Sequence, residues 1–463
     1  MALDGWRNAK LGALIDVKHG FAFQGEFFND EPPGDILLTP GNFAIGGGFK
    51  SDKLKYYVGP VPDDFVLQEG DILITMTDLS KNADTLGYPA IVPKPRGLRY
   101  LHNQRLGKVI IKDRAPLRKD FLYYLLRTRE YRHEVVSSAT GTTVKHTSPE
   151  RVMAFEFQLP PLPEQRAIAH ILGTLDDKIE LNRRMNETLE AMARATFKSW
   201  FVDFLPVRAN MARTQTGDPV RAKMEGRLPA PSDARQAGQP TGIDAETAAL
   251  FPDSFEDSPL GKIPKGWRVG TIGDEFNLMM GQSPPGETYN EIGEGLPFFQ
   301  GRTDFGFRFP TQRVYCTAPT RQANPGDTMV SVRAPVGDIN MASETCCIGR
   351  GVAAIRHKSG SRSYTFYMMH SLRDTFADFE AEGTVFGCIN KDDFQGIKCI
   401  TPPAELIKKY EQTAFPLDEA IRNNDLSSHT LAATRDALLP KLLVGEIRVK
   451  DVQSFLEAFT EKA

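Results

Sequence analysis

Apolar and polar positions along the chain follow two patterns, short apolar runs between loops and longer stretches with a helical period. The short runs include residues 72–77 and 108–111, and the Gly/Pro-rich loops around them are typical of strand ends. A helical period follows over residues 121–134, and then a double proline, Pro160-Pro161. Proline fits the first turn of a helix, where its missing N–H is not needed. The pattern predicts a mixed α/β segment that leads into a helix.

Two long helices are predicted, one after this double proline and one near the C-terminal end, because apolar residues recur there at spacings of three and four. Such a repeat is typical of a coiled-coil seam, in which equivalent polar residues such as Asn182 and Asn424 can fix the register. Arg435 breaks the second seam, and Pro416 predicts a kink or an interruption just before it. The alternative is a pair of ordinary amphipathic helices on separate domains. The seam positions are Leu172, Leu175, Ile179, Asn182, Asn186, Leu189 and Ala193 in the first helix, and Leu417, Ile421, Asn424, Ser428, Leu431 and Leu438 in the second.

The same order of motifs occurs twice along the chain. Each half contains a Gly-Asp pair before an apolar strand, at Gly70-Asp71 and Gly326-Asp327. Repeated order at a slowly drifting offset indicates two homologous halves. The matches at an offset of 261 are Gly5-Trp6-Arg7 with Gly266-Trp267-Arg268, Gly12 with Gly273, and Gly20 with Gly281; those at 242 are Thr142 with Thr384, Pro160-Pro161 with Pro402-Pro403, and Asn182 with Asn424.

Composition bounds the class of protein. The 463 residues predict two or three domains, and 41% apolar with 25% charged residues is ordinary for a globular protein. No apolar run of about 18 residues and no apolar signal core at the N-terminus are present, which predicts a cytoplasmic protein. The five cysteines lie between Cys316 and Cys399 without a Cys-x-x-Cys pair, so buried free thiols are predicted, and no structural metal.

The charge pattern favours local contact with phosphates. The net charge of −3 argues against a protein that coats nucleic acid over its whole surface. However, residues 94–119 hold nine Lys/Arg and one acid, and residues 302–373 hold ten Lys/Arg and four acids. One such run is most simply a solvated surface. Two runs at comparable places in two halves favour phosphate contact.

Helix length and the connection between the halves fit one arrangement. The first seam, residues 175–200, would be about 39 Å long, close to one turn of B-DNA at about 34–36 Å. A rod of this length could hold two recognition surfaces about one helical turn apart. Residues 208–242 are rich in Ala, Gly, Pro, Gln and Arg and are predicted to form a flexible linker. A long connection is needed if the two helices are antiparallel.

No catalytic constellation is predicted. An adenine methyltransferase needs an Asn/Asp-Pro-Pro-aromatic loop, and each double proline here has other neighbours. Gly46-Gly47-Gly48 is not followed by Gly-Lys-Ser/Thr, so a turn is favoured over a phosphate cradle. The eight histidines show no metal-ligand spacing. The double prolines are Glu31-Pro32-Pro33-Gly34, Leu159-Pro160-Pro161-Leu162, Ser283-Pro284-Pro285-Gly286 and Thr401-Pro402-Pro403-Ala404.

Several segments together resemble the DNA-specificity subunits of type I restriction–modification systems. Residues 161–169, PLPEQRAIA, lead to residues 175–182, LDDKIELN, and to residues 199–204, SWFVDF, and they resemble the central region of that family. Residues 438–447, LLPKLLVGEI, resemble its second such region, and residues 251–258 resemble the start of its second recognition domain. The second helix departs from the pattern, because Ala-Glu-Leu replaces the usual Pro-x-x-Glu-Gln opening.

The resemblance implies an α+β fold, in which two pseudo-symmetric target-recognition domains are separated by two long helices that form an antiparallel coiled coil. It also implies that each domain recognises one half of an interrupted DNA target and that the helices set the spacer. The expected domains are residues 1–162 and 259–403 for recognition, 163–207 and 404–463 for the helical arms, and 208–258 for the linker.

The partners implied by the resemblance are double-stranded DNA, two modification subunits and two ATP-dependent restriction subunits, with no membrane. S-adenosylmethionine, ATP and magnesium are expected on those subunits and not on this chain, which would hold no catalytic residue. The alternative is a single-chain restriction or modification enzyme with an unrecognised catalytic segment.

Candidate DNA contacts are polar residues in loops near the basic runs, since Arg, Lys, Asn and Gln recognise base edges and phosphates. An apolar cluster at the helix ends either packs on a recognition domain or docks a modification subunit. The DNA candidates are Lys18, Asn42, Lys81, Arg99, Gln104, Arg105, Thr142, Thr143, Lys145, Gln282, Arg302, Arg321, Arg333, Arg350, Thr384 and Asn390, and the subunit-interface candidates are Phe197, Trp200, Phe201, Phe204, Leu442 and Leu443.

Overall fold

The computed structural model describes residues 5–51, 53–80, 82–95, 97–216, 243–381 and 387–452. Within these ranges the chain forms two compact units, the first made of the described residues up to Asn182 and from Leu426 onward, and the second of those between Arg183 and Asp425. Each unit contains one sheet-rich domain and part of each of two long helices. Within the described ranges, every helix is too short or too polar to cross a bilayer.

The first unit is built around two main sheets. Their strand orders are β3-β5-β4-β10-β6 and β2-β11-β7-β9, and two further pairs are β1-β13 and β8-β12. The strands are β1 (Arg7–Lys10), β2 (Ile15–His19), β3 (Phe28–Asn29), β4 (Asp35–Leu38), β5 (Lys55–Tyr57), β6 (Val66–Leu67), β7 (Ile72–Thr75), β8 (Thr77–Asp78), β9 (Pro89–Ile91), β10 (Tyr100–His102), β11 (Leu106–Ile111), β12 (Lys145–His146) and β13 (Glu156–Leu159). The helices that begin in this unit are α1 (Lys119–Leu125), α2 (Arg129–Ser137), α3 (Pro149–Met153) and the long α4 (Leu162–Phe201).

The second unit contains two main sheets that match those of the first. Its main sheets have the orders β18-β20-β19-β24-β21 and β17-β25-β22-β23, beside the pairs β16-β26 and β14-β15. The strands are β14 (Phe255–Ser258), β15 (Gly261–Pro264), β16 (Arg268–Thr271), β17 (Phe276–Met280), β18 (Tyr289–Asn290), β19 (Leu296–Phe299), β20 (Tyr315–Cys316), β21 (Gln322–Ala323), β22 (Thr328–Ser331), β23 (Ile339–Met341), β24 (Cys346–Ile348), β25 (Val352–His357) and β26 (Lys398–Thr401). The helices are α5 (Leu205–Thr216), α6 (Ala245–Ala249), α7 (Ile272–Glu275), α8 (Arg362–Ser371), α9 (Arg373–Ala381), α10 (Lys391–Gly396) and the long α11 (Ala404–Leu443).

The two units have one topology. If the strands of each five-stranded sheet are ranked by their position along the chain, both sheets have the same spatial order of strands. Each of these sheets contains a single parallel pair, β4 with β10 and β19 with β24. The four-stranded sheets also match strand for strand and are antiparallel throughout. The predicted α+β fold with two pseudo-symmetric domains is therefore confirmed.

The repeated Gly-Asp motif has the same structural cause in both units. Gly70 and Gly326 each have φ of +80°, a conformation that glycine adopts without steric cost. The aspartate that follows pairs with a cation on the long strand of the four-stranded sheet, Asp71 with Lys108 at 2.6 Å and Asp327 with Arg356 at 2.7 Å. The motif thus turns the chain into β7 or β22 and ties the turn to the sheet.

Each unit has its own hydrophobic core. In the first unit, buried residues of β7, such as Ile72, share a cluster with Phe121 of α1 and with Leu172 and Leu438 of the long helices. In the second unit, the cluster includes Val330 of β22 and aromatic residues of α4, α8 and α11. Since a long helix contributes to each core, the recognition domain and the helices within a unit are packed as one body.

The two long helices have equal length. Each has 40 residues, about 60 Å at 1.5 Å per residue. The interruption predicted at Pro416 is wrong, because α11 continues without a break from Ala404 to Leu443. A proline removes one backbone hydrogen bond, and the neighbouring turns are held by buried residues, Ala414 and Ile421 among them.

The two long helices begin with different sequences, and different contacts hold their first turns in the two domains. Gln165 is fully buried, and its amide donates to the carbonyl oxygens of Pro116 at 2.9 Å and Pro160 at 2.8 Å. At the repeat offset of 242, the equivalent residue in α11 is Ile407, which is buried in the apolar core of the second unit. Hydrogen bonds hold the start of α4 in its domain, and apolar packing holds the start of α11.

Within each unit the helices pair antiparallel. In the first unit, Asp176 pairs with Arg435 at 2.6 Å, and the Asn182 amide donates to the Ser428 hydroxyl at 3.2 Å. As the residue number rises on α4, the partner number on α11 falls, which is the antiparallel arrangement. The arginine that breaks the apolar seam is therefore an ion-pair partner of the other helix.

In the second unit, the Asn424 amide donates to Asn186 Oδ1 at 2.9 Å, and the Tyr410 hydroxyl donates to the carbonyl oxygen of Ala193 at 3.0 Å. Asn424 and Asn186 are the repeat equivalents of Asn182 and Ser428, respectively. The same polar pair therefore occurs once in each unit, as expected for residues that fix the register of a coiled coil.

The linker prediction needs a correction at its N-terminal end. Residues 208–216 belong to α5 and are helical, although no apolar period was recognised there. The helix is tied down by Asn210, whose amide donates to the carbonyl oxygens of Ala248 and Phe251, each at 2.9 Å. Residues 217–242 of the predicted linker lie outside the described residues. Residues 243–258, which the domain prediction also assigned to the linker, contain α6 and the strand β14, which pairs with β15.

Candidate nucleic-acid interface

The candidate interface of the first domain is centred on the turn between β10 and β11. Gln104 and Arg105 are exposed there, and they line a cleft of about 760 Å³ together with Lys50 and Lys55. Gly20 approaches this turn so closely that a Cβ atom would collide with the carbonyl oxygen of Asn103. Two of the predicted DNA contacts therefore share one cationic cleft, and a glycine of the internal repeat permits their placement.

Three predicted DNA contacts, Gln282, Arg321 and Arg350, lie at or beside the equivalent turn of the second domain, between β24 and β25. The Gln282 N–H donates to the Ile348 carbonyl oxygen, and the Ile348 N–H donates to that of Arg321, both at 3.0 Å. Arg350 follows two residues later, and all three predicted side chains are exposed. A polar, cationic group thus lies at the same place in the fold as Gln104 and Arg105.

Other predicted contacts in the first domain are already engaged. Asn42 is buried, and it caps a turn by accepting from the Thr39 N–H and donating to the carbonyl oxygen of Lys53, so its prediction as a DNA contact is wrong. Arg99 forms an ion pair with Asp35 and is half-exposed. Lys18 is half-buried, donates to the Asp64 carbonyl oxygen and lies 4.8 Å from the centre of the Phe65 ring.

The remaining DNA-contact candidates occupy several kinds of position. Thr142 and Thr143 are exposed in a loop, and Lys145 begins β12. In the second domain, Arg333 is exposed. Arg302 is half-exposed and forms an ion pair with Asp338. Asn390 caps α10 by accepting from the Asp393 N–H at 2.9 Å, a structural role that the prediction missed. Lys81 and Thr384 lie outside the described residues.

The predicted subunit-interface residues are wrong, because they are buried in the cores of their own units. Phe197, Trp200, Phe201 and Phe204 are 2–7% exposed and pack against aromatic residues of the second domain, such as Tyr364. Leu442 and Leu443 are 1% and 4% exposed in the core of the first unit. Side chains that are covered in this way are not available to a partner, so the packing alternative is the one observed.

A buried tyrosine–aspartate–arginine cluster joins the first domain to the helices. The Asp176 carboxylate of α4 accepts from the Tyr124 hydroxyl at 2.9 Å and pairs with Arg127 at 2.7 Å and Arg435 at 2.6 Å. Burial raises the pKa of Asp176, but the two guanidinium groups outweigh it and hold the pKa below its usual value. The carboxylate is therefore charged and fully paired at the junction.

The second domain contains an equivalent cluster with a different source for the cation. Asp418 and Tyr367 are the repeat equivalents of Asp176 and Tyr124, and the Tyr367 hydroxyl lies 2.9 Å from the Asp418 carboxylate. The guanidinium comes from Arg308, which is 2% exposed and pairs with Asp418 at 2.9 Å and Glu190 at 3.2 Å. Sequence reasoning missed both clusters, although the offset of 242–243 relates the tyrosines and the aspartates.

The five cysteines are free thiols in the structure. Cys316, Cys346, Cys347 and Cys399 are buried and free, as predicted, whereas Cys388 is exposed. Burial raises the pKa of Cys346 to about 12, which keeps its thiol protonated. Across the described ranges, no three side chains of His, Cys, Asp or Glu meet as a possible metal site.

A buried histidine near the first cleft predicts a pH-dependent stability. His102 is 1% exposed, and burial lowers its pKa from 6.5 to about 4. Below pH 6.5, His102 binds a proton in the unfolded chain but stays neutral in the folded chain. The free energy of unfolding therefore falls as the pH falls from 6.5 towards 4. Between pH 7 and pH 5 we expect the free energy of unfolding of the first unit to fall by about 2 kcal/mol. Hydrogen exchange of the β10 and β11 amides, followed by mass spectrometry, measures this change.

The matched variant is His102→Gln, which keeps a hydrogen-bond donor for the Leu106 carbonyl oxygen and removes the titration. Its exchange should depend on pH less steeply than that of the wild type, after correction for intrinsic exchange. An identical pH dependence in both proteins would contradict the assignment to His102.

Comparison with known proteins identifies the family. A model described as the type I restriction modification DNA specificity domain matches residues 4–191. The type I restriction enzyme HindI specificity subunit of Haemophilus influenzae is 30% identical over 355 residues, which cover 71% of this chain and 77% of that protein. The putative MjaX specificity subunit of Methanocaldococcus jannaschii is 30% identical over 319 residues, 68% of this chain and 62% of that protein.

A solved structure shows the same fold. The type I restriction-modification system S subunit from M. genitalium matches 95% of this chain and 96% of its own with a TM-score of 0.52, at 17% identity. The duplicated topology and the identity to the Haemophilus protein lead to one conclusion: the chain belongs to the family of type I restriction–modification DNA-specificity subunits.

Proposed function

We propose that this chain is the non-catalytic DNA-recognition subunit of a type I restriction–modification complex, and that each of its two domains recognises one half of an interrupted target. The observation that supports this most is the identical strand order of two domains whose exposed polar residues differ. Two copies of one recognition fold with different surfaces suit a target made of two unlike half-sites.

The helix pair is proposed to set the spacer between the half-sites. Its antiparallel pairing in each unit and its equal helix lengths support a stiff element. The seam between residues 175 and 200 would span about 39 Å, which is near the rise of one turn of B-DNA. A fixed length between two recognition surfaces restricts the number of base pairs between the half-sites.

The same proposal assigns the chemistry to other chains. Two modification subunits would bind S-adenosylmethionine and methylate adenine, and two restriction subunits would use ATP and magnesium. The chain would serve as their scaffold on double-stranded DNA. The known relatives are named as specificity subunits, which favours this division over a single-chain enzyme.

Mapping of methylated adenines tests the proposal directly. In DNA from cells that carry the chain with its modification subunits, we expect methylation at one bipartite motif with a spacer of constant length. Long-read sequencing that detects N6-methyladenine gives the motif. Methylation at a continuous motif, or turnover of S-adenosylmethionine by the purified chain alone, would overturn the proposal.

Exchange of residues 1–160 for those of another family member is the control for this mapping. Only one half of the methylated motif should change, while the other half and the spacer remain. A change in both halves would show that the domains do not recognise DNA independently.

A further inference from the structure

Two equivalent loops, one in each recognition domain, carry an exposed apolar residue at the tip. Each loop follows a 3₁₀ turn after β4 or β19, and backbone bridges close the two loops, Phe43 with Phe49 in the first domain and Phe305 with Pro310 in the second. We call residues 43–49 and residues 305–310 the tip loops. They are related by an offset of 262 at their first residue.

The apolar tips contrast with the rest of their loops. Ile45 is 72% exposed and Phe307 is 52% exposed, whereas Phe43 is buried. Ile45 and Phe307 are related by the same offset of 262. A single exposed apolar residue is common on protein surfaces. The same feature at one position of two domains that differ in most surface residues points instead to a shared use.

Both tip loops are fixed by the buried arginine clusters. In the first domain, Arg127 Nε donates to the Gly46 carbonyl oxygen at 2.8 Å while its Nη1 pairs with Asp176. A Cβ atom on Gly47, which has φ of +91°, would lie 2.9 Å from Arg127 Cγ, so glycine is required beside the guanidinium. The loop is therefore fastened to α4 within the first unit.

In the second domain the arginine belongs to the tip loop itself. Arg308 follows Phe307 directly and reaches Asp418 of α11 and Glu190 of α4, and its Nη2 donates to the Tyr367 hydroxyl at 2.8 Å. Two different sequences thus fasten the same loop to the long helices. A tip that is held in place before binding loses little conformational freedom on contact with a ligand.

The surroundings of both tips are cationic. Ile45 lies in the 760 Å³ cleft with the exposed side chains of Lys55 and Arg105. Phe307 lies in a cleft of about 730 Å³ with three exposed arginines, Arg194, Arg302 and Arg373. In the first cleft, the Asp78 carboxylate accepts from the Thr85 N–H and hydroxyl, each at 2.6 Å. In the second cleft, Glu190 pairs with Arg194 and Asp338 with Arg302. Three cationic residues and two acids line each cleft, so each has an excess of positive charge.

An apolar tip among cations suits a nucleic acid better than a protein partner. Cations in a cleft neutralise phosphates, and an apolar side chain contacts base edges, such as the methyl group of thymine. Interfaces between proteins are depleted of lysine but enriched in arginine, so the arginines of the second cleft do not by themselves exclude a protein partner. The centres of such interfaces are, however, apolar over a larger area than one side chain offers.

We propose that Ile45 and Phe307 are specificity-determining residues, each of which contacts the bases of one half-site while the neighbouring cations bind the phosphates. The inference rests on the proposed function, because it assumes that each domain recognises one half-site. Arg127 and Arg308 are positioning residues in this scheme: they hold the tips and do not touch the DNA.

The test is a selection for methylation on randomised targets, with the complex of this chain and its modification subunits. Ile45→Ala should relax the base preference at one or two positions of one half-site by about tenfold, and Phe307→Ala should do so in the other half-site, each leaving the opposite half unchanged. Ile45→Leu keeps an apolar tip and should retain most of the preference.

The matched controls are Val58→Ala and Ile292→Ala, which truncate exposed apolar residues of the same two domains outside the clefts. They should leave all base preferences within twofold of the wild type. Unchanged preferences in both tip variants would overturn the inference, and so would loss of complex assembly in place of base preference, which would make the tips protein contacts. If the wild-type complex selects no bipartite target, the proposed function itself fails.

Discussion

Replacing Arg308 with leucine is expected to destabilise the second unit by about 3–5 kcal/mol, the usual cost of removing one partner from a buried ion pair. The guanidinium is 2% exposed and neutralises Asp418 and Glu190, whose side chains are each 10% exposed. Its carbon also lies 3.9 Å from the centre of the Phe366 ring. Without it, Asp418 remains a buried charge with no cation. Urea unfolding, together with hydrogen exchange of α8 and α11 peptides, measures the loss.

A double variant separates the charge effect from lost packing. Arg308→Leu combined with Asp418→Leu removes both buried charges, while Glu190 keeps its 2.6 Å pair with Arg194. This variant should recover at least half of the lost stability, because an apolar pair often replaces a buried ion pair without cost. The surface control is Arg313→Ala: Arg313 is 55% exposed beside Asp304, and its loss should cost less than about 1 kcal/mol. Equal unfolding midpoints for the Arg308 and Arg313 single variants would contradict this account.

Lengthening both long helices by one heptad is expected to abolish methylation of the original target and to shift it to a target with a longer spacer. The insertion would lie between Ile179 and Leu189 in α4 and between Ile421 and Leu431 in α11. Seven residues preserve the side of the helix on which the seam lies, and they add about 10 Å, or about three base pairs. The half-site sequences should not change, because the recognition domains are untouched. Sequencing of N6-methyladenine in cells that carry the variant complex gives the new motif.

The same heptad inserted at Gly293, in the exposed loop between β18 and β19, is the control for added length. That variant should keep the original motif and spacer. If the lengthened helices also kept the original spacer, the helix pair would not be the element that sets it.

Much of the fold could be predicted from the sequence because the chain contains its own comparison. The matching Gly-Trp-Arg segments open β1 and β16 in the two units, and the offset of 242 relates the whole of α4 to the whole of α11. A sequence motif that occurs in both halves marks a structural element that both domains contain. Pro416 was misjudged because a proline weakens a helix locally, whereas buried neighbours on both sides stabilise it.

The candidate site was harder to predict, because polar residues have structural uses that a sequence does not distinguish from binding. Asn42 and Asn390 are the residue type that recognises bases, yet both cap turns of the backbone. Arg127 and Arg308 are two among 56 Lys/Arg, and only their burial beside a carboxylate sets them apart. Phe201 and its neighbours looked like a docking patch because the sequence does not show which surface covers them.

The clusters at the two junctions impose a matching rule on recombination between family members. In both units the helix supplies the acid, Asp176 or Asp418, and the recognition domain supplies a phenol and a cation. Acid and cation therefore lie on opposite sides of the seam at which a domain would be shuffled. In the second unit, a foreign domain without a cation at this point would leave Asp418 as a buried charge without its ion-pair partner, whereas in the first unit Arg435 of α11 would still pair with Asp176. Exchange of domains is thus open to those that supply a cation to the helix carboxylate, whether from the turn between two helices, as Arg127 does, or from a loop, as Arg308 does.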